Sequence, residues 1–306
     1  MTHLDNHSTS ILFKFKWPNG FICPRCKHNQ FYLIRTRNLP LYQCRSCKRQ
    51  TSLIVDTIME GSRTAIHKWL IAIRLVSRLD KGVTAVELSS VISVTYKTAW
   101  LMLHKIRHAI SCADQNQPLA GSVKAGLSFY CRPYPSMASP ALKRSPVIVA
   151  AQVDEQNTPL TIKMKHVSNH HMSFSALTRS GEKSFRNTQV HHSANMHPIA
   201  VPFAFIRTPL IKSCFEKARK WLNITFNGIG PKYLQAYLNE YCCRYNLTIH
   251  NHPIEETLTR YCATTNRVTL IELKNNRFLS EGDNMKKNNW TLYKHSELPK
   301  QKSTPA

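Results

Sequence analysis

"GSVKAGLSFYC", residues 121–131, alternates apolar with small or polar residues. Val123, Ala125, Leu127 and Phe129 fall on one face, and Ser122, Lys124, Gly126 and Ser128 on the other. A two-residue period of this kind predicts a half-buried strand at the entrance to a sheet domain. The second face carries Lys, Gly and Ser and not one carboxylate, which bears directly on the chemistry such a domain could perform.

On the N-terminal side of this strand, residues 1–20 read as an arm, with "FKFKWPNGF" leading into the first cysteines. Residues 21–55 combine four cysteines with short β-rich runs, "FYLIRT" and "LYQC". Periodicity predicts helices over 64–79 and 83–111, within a helical region 62–112, and "QNQPLAG" (115–121) is a linker broken by Pro118 and Gly121. On the C-terminal side, "SPVIVAAQVDEQNTPLTIKMKHV" (145–167) predicts two strands around a turn at Asp154–Pro159, with a further strand at 187–192. Helices are expected at 210–223 and 231–244, the second opened by Pro231. These elements define a sheet domain over 119–250, and residues 251–306 lose periodicity and read as a basic, partly disordered tail. The fold class is α/β (α+β) and multidomain.

Charge limits the partners. The chain has 306 residues and a formal net charge of +25, from 42 Lys and Arg against 17 Asp and Glu. Residues 1–112 hold 17 basic and 5 acidic side chains, residues 113–250 hold 16 and 6, and residues 251–306 hold 9 and 6. The excess is spread over two segments and is not a single tail, as suits a polyanion bound by phosphate neutralisation. The start "MTHLDNHSTSILFKFKW" lacks the layout of a signal peptide, and no apolar run is long enough to span a membrane. The expected location is cytoplasmic. Four of the ten cysteines form a tight pattern and the rest are scattered, which favours a metal site over disulfides.

That pattern is Cys23-Pro-Arg-Cys26 and Cys44-Arg-Ser-Cys47, two C-x-x-C knuckles separated by 17 residues. Each knuckle can aim two thiolates at one ion, and four thiolates close a tetrahedral structural zinc site with no position left for a reactive water. A ribbon this small has too little apolar core, so the metal supplies its folding energy. Arg25, Lys27, Arg45, Lys48 and Arg49 surround the knuckles and suit phosphate contacts. In the helical region, Trp69, Ile73 and Val76 share one face, and Ala99, Leu103, Ile106 and Ile110 form the stripe of a later helix. Thr84 and Thr95 are N-cap candidates for two helices with a short break between them. Two helices joined by a tight turn describe a helix-turn-helix: Thr95, Tyr96 or Lys97 would reach base edges, and Lys105 and Arg107 the DNA backbone.

The stretches "KWPNGFICPRC", "LYQCRSCKRQTS", "DTIMEGSRTAIHKWLIAIRLVS", "KGVTAVELSS" and "YKTAWLMLHKIRHAI" resemble the N-terminal half of the ISXO-type insertion-sequence transposases. "GIGPKYLQAYLNEYCCRYN" (228–246) resembles the end of their catalytic domain. The resemblance implies a zinc ribbon, a helix-turn-helix and an RNase H-like mixed sheet with flanking helices. It also implies double-stranded DNA as partner, association with the bacterial nucleoid, and an acidic triad holding two Mg²⁺ ions for DNA cleavage and strand transfer. A homo-oligomer is left open.

Carried over position by position, the triad is missing. Gly126 stands at the first ligand position, Ser193 at the second and Lys217 at the third, with Glu216 one step away on the helix. Two divalent ions about 4 Å apart repel by roughly 16 kcal/mol at an effective dielectric near 20, and carboxylates are what offset that repulsion. Between 115 and 250 the acids are Asp154, Glu155, Glu182, Glu216 and Glu240, with Asp154 and Glu155 at a turn and Glu182 in an expected loop. The pairs His170-His171 and His191-His192 are adjacent in sequence, which on a strand points them to opposite faces. Ser93 replaces a glycine of the family's helix-turn-helix, a costly change if that residue needs positive φ. The expectation is a transposase-family DNA-binding protein with no catalytic residues, structural Zn²⁺ and no bound Mg²⁺. The alternatives are an active transposase and a non-catalytic nucleic-acid or protein-binding scaffold.

Overall fold

The computed structural model describes residues 3–36, 39–133, 144–199, 201 and 208–275. The chain is a mixed α and β structure whose N-terminal part is a small antiparallel ribbon embedded in helices. Strands β1 (Phe31–Ile34), β2 (Leu41–Cys44) and β3 (Gln50–Ser52) pair antiparallel in that order. Helix α1 (His3–Lys16) packs on this ribbon. Phe13 lies 5.1 Å from the ring of Trp17 and 5.3 Å from that of Tyr42, and Leu12 is fully buried. Lys16 reinforces the contact by donating from Nζ to the Leu53 carbonyl at 2.9 Å. The first residues are therefore not an arm. "SILFKF" supplies the apolar cover that so small a ribbon cannot make for itself.

Three further helices complete this core: α2 (Ile66–Ser77), α3 (Ala85–Val91) and α4 (Tyr96–Gln115). The α2 face comprises Ile66, Trp69, Ala72, Ile73 and Val76, all buried. Thr84 accepts from the Glu87 amide and Thr95 from the Thr98 amide, so both N-caps stand as expected. Helix α4 buries Met102 to Arg107 without a break, as a helix does when it is surrounded on several sides.

Beyond α4 lies a mixed sheet. Strands β4 (Ser122–Tyr130), β5 (Ser145–Val153) and β6 (Pro159–His166) form an antiparallel meander. After the small hairpin of β7 (Met172–Ser173) and β8 (Ala176–Leu177), helix α5 (Arg179–Gln189) leads to β9 (Asn195–Met196). Strand β9 pairs parallel to β4, giving the order β6-β5-β4-β9. The strand expected at 187–192 is thus largely the end of a helix followed by a single bridge, Val190 to Leu119. Gly181, Phe185 and Gln189 are buried at four-residue spacing, a helical period too poor in apolar side chains to be legible beforehand. For the same reason Glu182 lies in α5 and not in a loop.

Helices α6 (Pro209–Phe226) and α7 (Pro231–Ile249) cover one sheet face, packing Val147, Val149, Ala151 and Tyr130 against Phe215, Leu222 and Leu238. The other face gathers Val123, Ala125, Leu127, Ile148 and Phe185. Alternation therefore turns Lys124, Gly126 and Ser128 toward the α6 side, and Gly126, opposite Val149 in register, is buried. The face without a carboxylate is thus half-buried, with Ser122, Lys124 and Ser128 partly exposed around Gly126. At the β6 edge, amides of α7 stand in for a further strand. Asn246 receives the Ile162 N–H at 2.8 Å and donates to its carbonyl at 3.0 Å. Gln235 similarly receives the His166 N–H at 2.7 Å and donates to the Met164 carbonyl at 2.9 Å, blunting an edge that would otherwise invite pairing.

The chain then returns to its beginning. Helix α8 (Ile254–Thr264) buries Leu258, Cys262 and Ala263 in the N-terminal core, followed by α9 (Leu270–Asn275). Residues 251–275, expected to open a partly disordered tail, are structural. The rest of that expected tail, 276–306, lies outside the described residues.

Candidate metal centre and nucleic-acid interface

Cys23, Cys26, Cys44 and Cys47 bring their sulfurs within 4.8 Å of one another, and among the described residues they form the one cluster suited to a metal. Cys23 Sγ is 3.6 Å from Cys47 Sγ, and Cys26 Sγ is 3.5 Å from Cys44 Sγ. Those separations are far too long for S–S bonds and match the roughly 3.8 Å edge of a tetrahedron with 2.3 Å zinc–sulfur bonds. The two knuckles repeat one backbone form. The Cys23 amide donates to the His28 carbonyl and the Cys44 amide to the Arg49 carbonyl, each at 2.9 Å. Lys27 and Lys48 occupy the left-handed region at φ 61° and 58°, and this turns successive amides toward the sulfurs. The His28 N–H holds the Cys26 thiol down at about 6. The donor set fits a structural Zn²⁺ held by four thiolates.

Next to this centre, the exposed Tyr32 ring is flanked by Arg45 at 4.7 Å and Lys48 at 5.7 Å. Sequence reasoning singled out the two cations but not the tyrosine. Its exposed side on a four-residue strand was the available signal.

The turn between α3 and α4 contains Ser93 at φ 50°, where the backbone favours glycine. Lys68 of α2 steadies it by donating from Nζ to the Ser93 carbonyl at 3.3 Å. Thr95, Tyr96 and Lys97 are exposed at the start of α4, as their assignment to a DNA surface requires. Lys105 and Arg107 are not. Lys105 is 6% exposed and donates to the Ile58 carbonyl at 2.8 Å. Arg107 is 2% exposed, pairs with Glu240 of α7 at 2.6 Å, and lies 3.9 Å over the Tyr237 ring. Both cations anchor the helix from within, so their assignment to the DNA backbone is corrected. The error came from reading charge as exposure when the partner is far away in sequence.

Of the three residues that the resemblance sets at metal-ligand positions, Gly126 lies in the middle of β4, Ser193 in the segment before β9, and Lys217 is exposed on α6. Ser193 is engaged with His191, 2.7 Å from its Nδ1. Of the carboxylates of residues 113–250, Glu155 is exposed at the β5–β6 turn and the other five are separately engaged. Asp114 pairs with Lys163 at 3.0 Å, Glu182 with Arg186 at 2.9 Å, and Glu240 with Arg107. Glu216 accepts from Arg219 Nε at 2.9 Å, and Asp154 caps its own turn by accepting from the Thr158 amide at 2.7 Å. The ligand set that two Mg²⁺ ions require does not fit these residues. The histidine pairs sit outside regular strands, with ring centroids 4.0 Å apart for His170 and His171 and 4.1 Å apart for His191 and His192.

Residues 5–50 match a family model described as the transposase zinc-ribbon domain. Over 143 residues the chain is 29% identical to an "uncharacterized protein in transposable element ISH50" of Halobacterium salinarum. The overlap covers 43% of this chain and 46% of that protein, so the chain spans about half the length of the curated relative it matches. No solved structure matches the chain. Among the described residues no helix is long and apolar enough to cross a membrane. Taken with the four converging thiolates, the first match makes residues 5–50 similar to the zinc ribbon of transposases, and the second makes part of the chain similar to a protein of a transposable element.

Proposed function

We propose that the chain is a double-stranded DNA-binding protein of the cytoplasm whose sheet domain is catalytically silent. In this reading the zinc ribbon (21–55) and a helix-turn-helix (62–112) engage DNA. The domain over 119–250 is an RNase H-like scaffold without its metal ligands. The observation that carries the DNA reading is the exposed Thr95–Tyr96–Lys97 step at the start of a helix whose middle, Met102–Arg107, is buried. Side chains there can enter a groove while the rest of the helix is held by the core. The net charge of +25 supports the same partner.

The sheet order β6-β5-β4-β9, with β9 parallel to β4, supports the RNase H-like reading. The silence rests on Gly126, Ser193 and Lys217, and on the carboxylates engaged elsewhere. The competing reading, an active transposase, requires a misalignment at all three positions, and Glu216, one step from the third, is paired with Arg219.

Duplex binding by the zinc-loaded chain, titrated with salt, tests the first half of the proposal. Affinity is expected to fall steeply with salt, and Lys97→Ala to weaken it while lowering the salt slope by about one. An affinity indifferent to salt and to Lys97 would remove the DNA reading. Strand joining of element ends in Mg²⁺ or Mn²⁺ tests the second half, and robust joining would overturn the silence.

A further inference from the structure

We propose that the hairpin Met172–Leu177 is a nucleic-acid wedge that holds the Phe174 ring in solvent to stack on an unpaired or unstacked base of bound DNA. Phe174 is 102% exposed, whereas the other exposed large apolar side chains among the described residues lie between 39% and 73%. It is the first of two loop residues and sits at φ 52°, a conformation that short hairpins ordinarily give to Gly, Asn or Asp. An aromatic ring in open water at a strained backbone position is disfavoured twice over, by its hydration and by its φ.

The base of the hairpin is firmly fixed. Met172 and Leu177 pair across it and pack against the core on the α5 side of the sheet. Thr178 donates its N–H to the His171 carbonyl at 2.9 Å and its hydroxyl proton to the same oxygen at 3.0 Å. The Thr178 hydroxyl also accepts from the Gly181 amide at 3.2 Å, capping α5. Gly181 is where the hairpin meets the helix. A Cβ there would lie 2.8 Å from Leu177 Cδ1, 2.8 Å from His171 Cβ and 3.0 Å from the His171 carbonyl oxygen. A rigid stem with an aromatic tip is preorganised for insertion, since little conformational freedom is lost when the ring is covered.

Charge selects the occupant. From Gln156 to Gly181 the chain has no Asp or Glu, while Lys163, Lys165 and Arg179 lie within it. A protein pocket would not require that bias, whereas a strand of phosphates would. Bases offer a π-face whatever their sequence, so a single aromatic can stack without base-specific contacts.

The wedge rests on the DNA-binding reading above, and the test separates the two. Zinc-loaded full-length chain is titrated onto a fully paired duplex and onto the same duplex with 2-aminopurine as a single-base bulge. Wild type is expected to favour the bulged duplex and to change the 2-aminopurine emission on binding. Phe174→Ala should lose that preference, by roughly 5- to 150-fold, and the emission change with it. Binding to the paired duplex and the thermal midpoint should stay as in wild type or rise, and Phe174→Tyr should restore the preference. Equal preference in wild type and Phe174→Ala, with paired duplex still bound, would overturn the wedge alone. Failure to bind either duplex would overturn both the wedge and the DNA reading.

Discussion

The ion pair between Arg107 and Glu240 gives the sharpest quantitative expectation. It joins α4 to α7, and so the N-terminal core to the sheet, with exposures of 2% and 0% and a separation of 2.6 Å. Arg244 adds a second cation, 3.9 Å from the other Glu240 oxygen. Glu240→Ala would leave both guanidinium groups buried without their counterion. Coulomb attraction between unit charges 4 Å apart is about 4 kcal/mol at an effective dielectric of 20, and breaking a buried pair from one side costs about 3–5 kcal/mol. At roughly 2–4 °C per kcal/mol for a unit of this size, the melting midpoint should fall by about 6–20 °C.

The doubly apolar variant Arg107→Met with Glu240→Leu should be less damaging than Glu240→Ala, because it removes the Arg107 charge and its desolvation cost together with Glu240, although Arg244 still loses its counterion. Arg107 Nη2 and Glu240 Oε1 have no hydrogen bond among the described residues, so the directional bonding between the two residues is the single Nε to Oε2 contact. The double variant should therefore be more stable than Glu240→Ala while remaining below wild type. Denaturant and thermal unfolding of wild type, both single variants and the double complete the cycle. A loss under about 1 kcal/mol for Glu240→Ala, or a double variant as unstable as the two singles combined, would refute the buried-pair account.

Elemental analysis of reduced protein should find about one zinc per chain, and Cys44→Ser should abolish its retention and unfold the ribbon; protein that stays folded and metal-free would remove the assignment. Ser93→Gly should stabilise the α3–α4 turn by up to about 1 kcal/mol, because glycine adopts φ 50° without a Cβ penalty; a lowered melting midpoint would contradict this. Burial, with Arg107 adding repulsion, drives His104 down to about 3, and burial drives His108 down to about 4. Both depressed values mean that the unfolded chain takes up protons first as pH falls below about 6.5, so their stabilisation is complete above that pH and is lost toward pH 4. His104→Phe should flatten this loss, which reaches about 1.4 kcal/mol per pH unit for each proton; an unchanged slope in pH-dependent denaturation would count against the buried neutral ring.

What could be read from the chain directly was whatever short-range chemistry decides. Two C-x-x-C knuckles fix a four-thiolate centre through backbone turns a few residues long. Thr84 and Thr95 cap their helices through contacts three residues away, and alternation in 121–131 sets the two faces of β4.

Tertiary structure decided which charges face water. Lys105 and Arg107 share a helix with Lys97, yet only Lys97 is exposed, because the α7 helix that buries Arg107 supplies Glu240 from 133 residues away. The same distance effect hid the helical role of α1 and α8, whose apolar stripes look weak until the ribbon and α4 are there to receive them. It also hid Phe174, whose exposure depends on a stem pinned against Gly181. Local hydrogen bonds and ligand spacing are properties of neighbouring residues and survive in any fold, whereas burial is a property of what the rest of the chain brings alongside.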